Sequence, residues 1–70
     1  MNIKGWVNES DVFSTSFKRV RDNMIIELIN DCGEEYDVMV ETEDDQWDIS
    51  NYKNFEDSLQ EAIKFMKQNP

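Results

Sequence analysis

Tyr36-Asp37-Val38-Met39-Val40-Glu41-Thr42 decides how the chain folds. Tyr36, Val38, Val40 and Thr42 fall on one side of an extended backbone, and Asp37, Met39 and Glu41, followed by Glu43, fall on the other. Successive side chains of a strand point to opposite faces, so this period of two predicts a strand over about 35–42 with one buried and one acidic face.

Toward the N-terminus, Asn30-Asp31-Cys32-Gly33-Glu34 has turn chemistry, with Gly33 able to adopt a positive φ. The run before it, Met24-Ile25-Ile26-Glu27-Leu28-Ile29, predicts a central strand over about 24–30. Met24, Ile26 and Leu28 share one of its faces, and Ile25, Glu27 and Ile29 share the other. Asp22-Asn23 tolerates left-handed backbone and separates this strand from residues 12–20 at hairpin distance. There Phe13, Thr15 and Phe17 alternate as in a strand, whereas Phe13, Phe17, Val20 and Met24 recur as on a helix. Ser14-Thr15-Ser16 favours the strand, because short hydroxyl side chains compete with helical backbone bonding. Residues 1–11 predict irregular structure or a short edge strand, with Gly5 as a break and Trp6-Val7 as the apolar anchor.

Toward the C-terminus, Glu43 to Gln46 reads as a loop, and Trp47-Asp48-Ile49 as a short fourth strand or an anchor pinning that loop to the core. Asn54 is a good N-cap, and Glu56 and Asp57 suit the positive end of a helix dipole. Phe55, Leu59, Ala62, Ile63 and Met66 then form one apolar stripe with Phe65 on its flank, predicting a helix over about 55–68. The expected fold is α+β: a single domain over 1–70, a β-β-β-α antiparallel meander of three to four strands, and one C-terminal helix on one face. One helix covers one side of a sheet. The other side, with Ile25, Ile29, Met39 and the acidic side chains, is then left for solvent or a partner.

Seventy residues form a small core, since a domain of this size buries only about 60% of the surface its unfolded chain exposes. The single cysteine allows no intrachain disulfide, and its acidic neighbours Asp31, Glu34 and Glu35 disfavour a reactive thiolate. The longest uncharged apolar run, Met24-Ile25-Ile26, falls far short of the roughly 20 residues of a membrane span. A cytoplasmic protein with no membrane contact is expected. Hydrophobic residues make up 39% and aromatics 11%, an ordinary globular composition, but the net charge is −9. That charge is concentrated: residues 27–61 hold thirteen carboxylates against Lys53 alone. A segment this negative repels nucleic acid and anionic lipid and attracts basic surfaces.

Catalytic machinery is not expected. With no histidine, the Ser-His-Asp and Cys-His arrangements and histidine-ligated zinc are excluded, and two glycines make no phosphate loop. Read from Glu43 as a calcium loop, the chain puts Trp47 at a ligand position and Asp48 where glycine is required. A glycosidase pair needs a cleft that a domain of this size has little room to form. No catalytic, metal or cofactor residues are therefore assigned.

Two surfaces remain. The first is acidic: Glu35, Asp37, Glu41, Glu43, Asp44, Asp45 and Asp48. Glu35, Asp37, Glu41 and Glu43 take alternate strand positions about 6.6 Å apart, a row interrupted by Met39 whose pitch can imitate a phosphate track; the plain alternative is that outward charges serve solubility and discourage edge pairing. The second is apolar, the uncovered sheet side with Ile25, Ile29 and Met39, joined by Trp6. Trp47 is read as a core anchor, with Ile49 following on the same side.

In size and charge the chain resembles the small acidic inhibitors of phages and mobile elements, among them anti-CRISPR proteins and uracil-DNA glycosylase inhibitors; the resemblance is one of type and is carried by no shared motif. It implies a nucleic-acid mimic that occupies the basic surface of a nucleic-acid-binding enzyme and does not itself bind nucleic acid. The alternatives are an interaction module or homodimer using the uncovered sheet face, and an immunity-type protein neutralising a basic toxin.

Overall fold

In the computed structural model, which describes residues 3–31 and 35–70, five strands form one antiparallel sheet in sequence order and a single helix follows. The strands are β1 (Trp6–Asn8), β2 (Thr15–Arg19), β3 (Ile25–Asp31), β4 (Glu35–Glu41) and β5 (Gln46–Tyr52), and α1 spans Phe55–Gln68. The α+β class and the placement of the helix agree with the sequence, but the sheet has five strands rather than three or four. Of the turn expected over Asn30 to Glu34, Asn30 and Asp31 belong instead to β3, where they pair with β4, and Cys32, Gly33 and Glu34 lie outside the described residues.

The register runs straight through the covered side. Phe17 pairs with Ile26, Ile26 with Val40, and Leu28 with Val38. These five residues are buried, together with Trp6, Ala62 and Met66. Fully burying a side chain of this size contributes about 1.5–3 kcal/mol, and this cluster is the main source of stability in a chain without a disulfide.

The helix lies over β3, β4 and β5. Asn54 caps it: its side chain accepts from the Asp57 N–H at 2.8 Å. The buried stripe is Ser58, Ala62 and Met66, flanked by Leu59, Ile63 and Phe65. It is thus rotated from the expected one. Small Ser58 and Ala62 let the helix backbone approach the sheet, and the Ser58 hydroxyl is satisfied by donating to the Phe55 carbonyl at 2.7 Å. Phe55 moves to the rim, where its ring meets Tyr36 edge-on at 5.7 Å.

The stretch expected as strand over 12–20 is a strand only from Thr15 to Arg19. Asp11 explains the late start. Its Oδ1 accepts the Phe13 N–H at 2.8 Å and the Ser14 N–H at 2.9 Å, so those donors are taken by a local turn. Phe13, expected to alternate inward, is 94% exposed. At the other end, Val20 to Asp22 turns, and Asn23 takes φ 63 as its type allows.

Gly5 and Trp6 meet Asn69 and Pro70. Gly5 turns at φ 85, and a Cβ there would stand 2.9 Å from the Pro70 carbonyl carbon, so both conformation and space require glycine. Trp6 follows immediately. Its Nε1–H donates to the Asn69 carbonyl at 2.9 Å, its ring meets Phe65 edge-on at 6.3 Å, and the Arg19 guanidinium lies 5.7 Å from the ring centroid. Trp6 is therefore core, on the covered side. Its expected place on the uncovered face is corrected, because the helix end supplies the acceptor its indole needs.

Candidate functional site: the open face of the sheet

The side of the sheet away from the helix is built by β3, β4 and β5 in register. Ile25 pairs with Glu41, Glu27 with Met39 and Ile29 with Asp37 across β3 and β4. Glu41 pairs with Gln46, Met39 with Asp48 and Asp37 with Asn51 across β4 and β5. Paired residues share a face, so these nine side chains form a square array with Met39 at its centre. Asp37 and Glu41 are its neighbours along β4, at about 6.7 Å, and Glu27 and Asp48 are its neighbours across the strands, at about 4.8 Å. Ile25 and Ile29 fill the two corners on β3, and Gln46 and Asn51 those on β5.

The array exists because β5 bulges. Val38 pairs with Ser50, but the next residue of β4, Met39, pairs with Asp48, leaving Ile49 as the extra residue. The bulge puts Asp48 on the open face and lets Ile49 pack against the core. Trp47, expected as the anchor, is 40% exposed beside Val40 near the sheet edge. Ile49 does that work instead.

Asp37 accepts from the Asn51 side-chain amide, whereas Glu27, Glu41 and Asp48 have no ion pair among the described residues. Lys18, beside Ile25 on β2, is the one cation among the described strand residues on this face, and its Nζ lies 3.4 Å from Glu9 Oε2. Arg19, the next residue, belongs to the covered side, where it pairs with Trp6 in register and is held by Asp22 at 2.7 Å.

The sequence-based acidic row is therefore divided. Glu35, Asp37 and Glu41 lie on β4 and Asp48 joins them from β5. Strand β4 ends at Glu41, so Glu43, Asp44 and Asp45 occupy an exposed turn beyond it. Within that turn the Thr42 N–H donates to the Asp45 carbonyl at 2.7 Å, and the Asp45 side chain accepts the Gln46 N–H at 2.9 Å. Asp45 thus has a structural task. Between this turn and the β2–β3 turn runs an open groove of about 320 Å³, lined by Asp22, Asn23, Ile25, Glu41, Thr42 and Glu43.

Glu27 was missing from the sequence-based site, although its position between Ile25 and Ile29 already put it on their face. Ile25, Ile29 and Met39 share the uncovered side with the carboxylates, as the alternation of the strands suggested, and the register sets each beside a named acidic neighbour. Among the described residues, no helix is long and apolar enough to cross a membrane. The chain matches no family model, no curated protein and no solved structure in the comparisons made.

Proposed function

We propose that the protein is a small acidic binding protein that occupies the basic, nucleic-acid-binding surface of a target protein, as the phage and mobile-element inhibitors of host defence do, anti-CRISPR proteins among them. One observation carries this reading: Glu27, Asp37, Glu41 and Asp48 surround one point of an uncovered sheet face whose strands offer a single, already paired cation. Such a face attracts cations at long range and raises the association rate with a basic groove. Along β4, Glu35 and Asp37 stand about 6.7 Å apart and Glu41 follows about 13 Å beyond Asp37, across Met39, while DNA phosphates advance about 3.4 Å per step along the axis and lie farther apart through space. Glu35 and the Glu43-Asp44-Asp45 turn extend the negative surface at the two ends of β4.

The apolar residues of the face also fit a protein-protein module, and an immunity-type protein would use the same electrostatics against a basic toxin. Pairing of this face with a second copy would set carboxylates against carboxylates, which a symmetric interface repeats twice. A different, basic partner fits better.

Capture of proteins from the native host at low salt tests the function, with DNA as competitor. The expected result is that captured proteins are basic and nucleic-acid-binding, that DNA displaces them, and that combined Glu27→Lys, Glu41→Lys and Asp48→Lys substitutions abolish capture. A captured partner retained by that charge-reversed variant would sink the mimic reading.

A further inference from the structure

Met39 gives the acidic face something a phosphate track lacks. A polyanion presents charge alone, whereas here a half-buried thioether sits between two pairs of carboxylates, Asp37 with Glu41 along the strand and Glu27 with Asp48 across it. Methionine is polarisable and adaptable, and it recurs at surfaces that receive apolar side chains. Ile25 and Ile29 widen the apolar patch on the β3 side. An apolar centre ringed by polar groups is the usual layout of a binding hot spot.

Resting on the reading above, we infer that the occupant of this face is a cationic amphipathic α-helix of the target, carrying an apolar residue with arginine or lysine one turn before it and one turn after it. The spacing argues for this element. The two carboxylate pairs span about 10 Å across the strands and about 13 Å along β4. On a helix, cations at i−3 or i−4 and at i+4 are about 10.5–12 Å apart, and the residue between them projects from the same side. Long cationic side chains absorb the remaining difference, laying their methylene stems on Ile25 and Met39 while their heads reach the carboxylates. Charge complementarity selects the sign of the helix, and Met39 selects its apolar residue.

Two synthetic helical peptides of about 14 residues, stapled to hold the helix, serve as probes. They carry identical charges and differ only in having leucine or serine between the flanking arginines. The protein is expected to bind the leucine peptide about tenfold more tightly than the serine peptide, the scale of one buried apolar side chain. Met39→Ser should bring that ratio close to one. Glu27→Gln with Asp48→Asn should weaken both peptides and leave the ratio unchanged; circular dichroism verifies that each variant folds. Equal affinity of the unmodified protein for both peptides overturns the amphipathic-helix inference and leaves the charge-based function standing. Binding of neither peptide at low salt overturns both.

Discussion

Met39 and Asp48 stand opposite each other on the open face because β5 carries one residue more than its partner strand needs. In a regular ladder continuing from the Val38–Ser50 pair, Ile49 would face Met39 and Asp48 would face Val40 on the covered side. That register would turn the Asp48 carboxylate to the side of the apolar core and Ile49 to the open face, since a slip of one residue moves every side chain of a strand to the wrong face. The bulge at Ile49 resolves the conflict between an acidic surface and an apolar core.

A deletion test follows from this register. Removing Ile49 joins Asp48 to Ser50 and makes the ladder regular, with Asp48 still opposite Met39. Cooperative urea unfolding is expected to survive, with a loss of about 2 kcal/mol for the packing of a half-buried isoleucine. Removing Val38 from β4 instead puts that strand out of register with β3, and no cooperative transition is expected. Equal damage from both deletions would contradict the bulge assignment.

The bulge also explains why the sequence showed some elements and hid others. Strand β4 was legible because Tyr36, Val38 and Val40 alternate without interruption, and the helix because Asn54 and the Leu59-Ala62-Ile63-Met66 stripe are local signals. Strand β5 was mostly hidden: its alternation breaks at Ile49, and Ser50, Asn51 and Tyr52 resemble a loop until β4 supplies hydrogen-bond partners. Trp6 was illegible for a different reason. Its partners, Arg19 and Asn69, lie far along the chain, the latter 63 residues away, and no local pattern reports such a contact. Most of the acidic site could be read from Glu35 to Asp48, and alternation put Ile25, Glu27 and Ile29 on one side of their strand, but which of them stands beside which residue of β4 required the β3–β4 register.

Ser50 lies on the covered side, opposite Val38, and its hydroxyl is buried with no hydrogen-bond partner among the described residues. A buried polar group left unsatisfied carries a desolvation cost of about 1–3 kcal/mol. Ser50→Ala is therefore expected to stabilise the protein by about 1 kcal/mol, read as a higher urea midpoint at unchanged slope. Ser58→Ala is the contrast, since that hydroxyl is bonded to the Phe55 carbonyl and gives no such gain. A lower midpoint for Ser50→Ala would show that the hydroxyl is satisfied in solution.

Self-repulsion on the open face makes stability depend on salt. Glu27, Glu41 and Asp48 surround Met39 without cations among the described residues, and the chain as a whole carries −9. The melting temperature should rise between about 0.02 M and 0.5 M sodium chloride, by about 4–8 °C for each kcal/mol of repulsion screened. Glu41→Gln should raise it at low salt and make little difference at high salt. A melting temperature that falls as salt rises would mean that ion pairs outweigh repulsion.

Asp22 responds to acid in the opposite sense. The Arg19 guanidinium donates to both its oxygens, at 2.9 and 2.7 Å, and the Met24 N–H adds a third bond at 3.2 Å. These bonds, those of Arg19 foremost, hold its pKa down at about 2, against 3.8 for an ordinary aspartate. A pKa lower in the folded than in the unfolded chain means that the ionised group favours folding. The contribution is therefore complete above about pH 4 and fades as the pH falls toward about 2. Asp22→Asn keeps an acceptor for Met24 but removes the charge. The variant should be less stable than the parent near neutral pH, and the difference between their urea midpoints should close between about pH 4 and pH 2. The other carboxylates titrate in both proteins and largely cancel in that difference. A gap that stays constant down to about pH 2 would show that Asp22 acts through its turn geometry and not through its charge on Arg19.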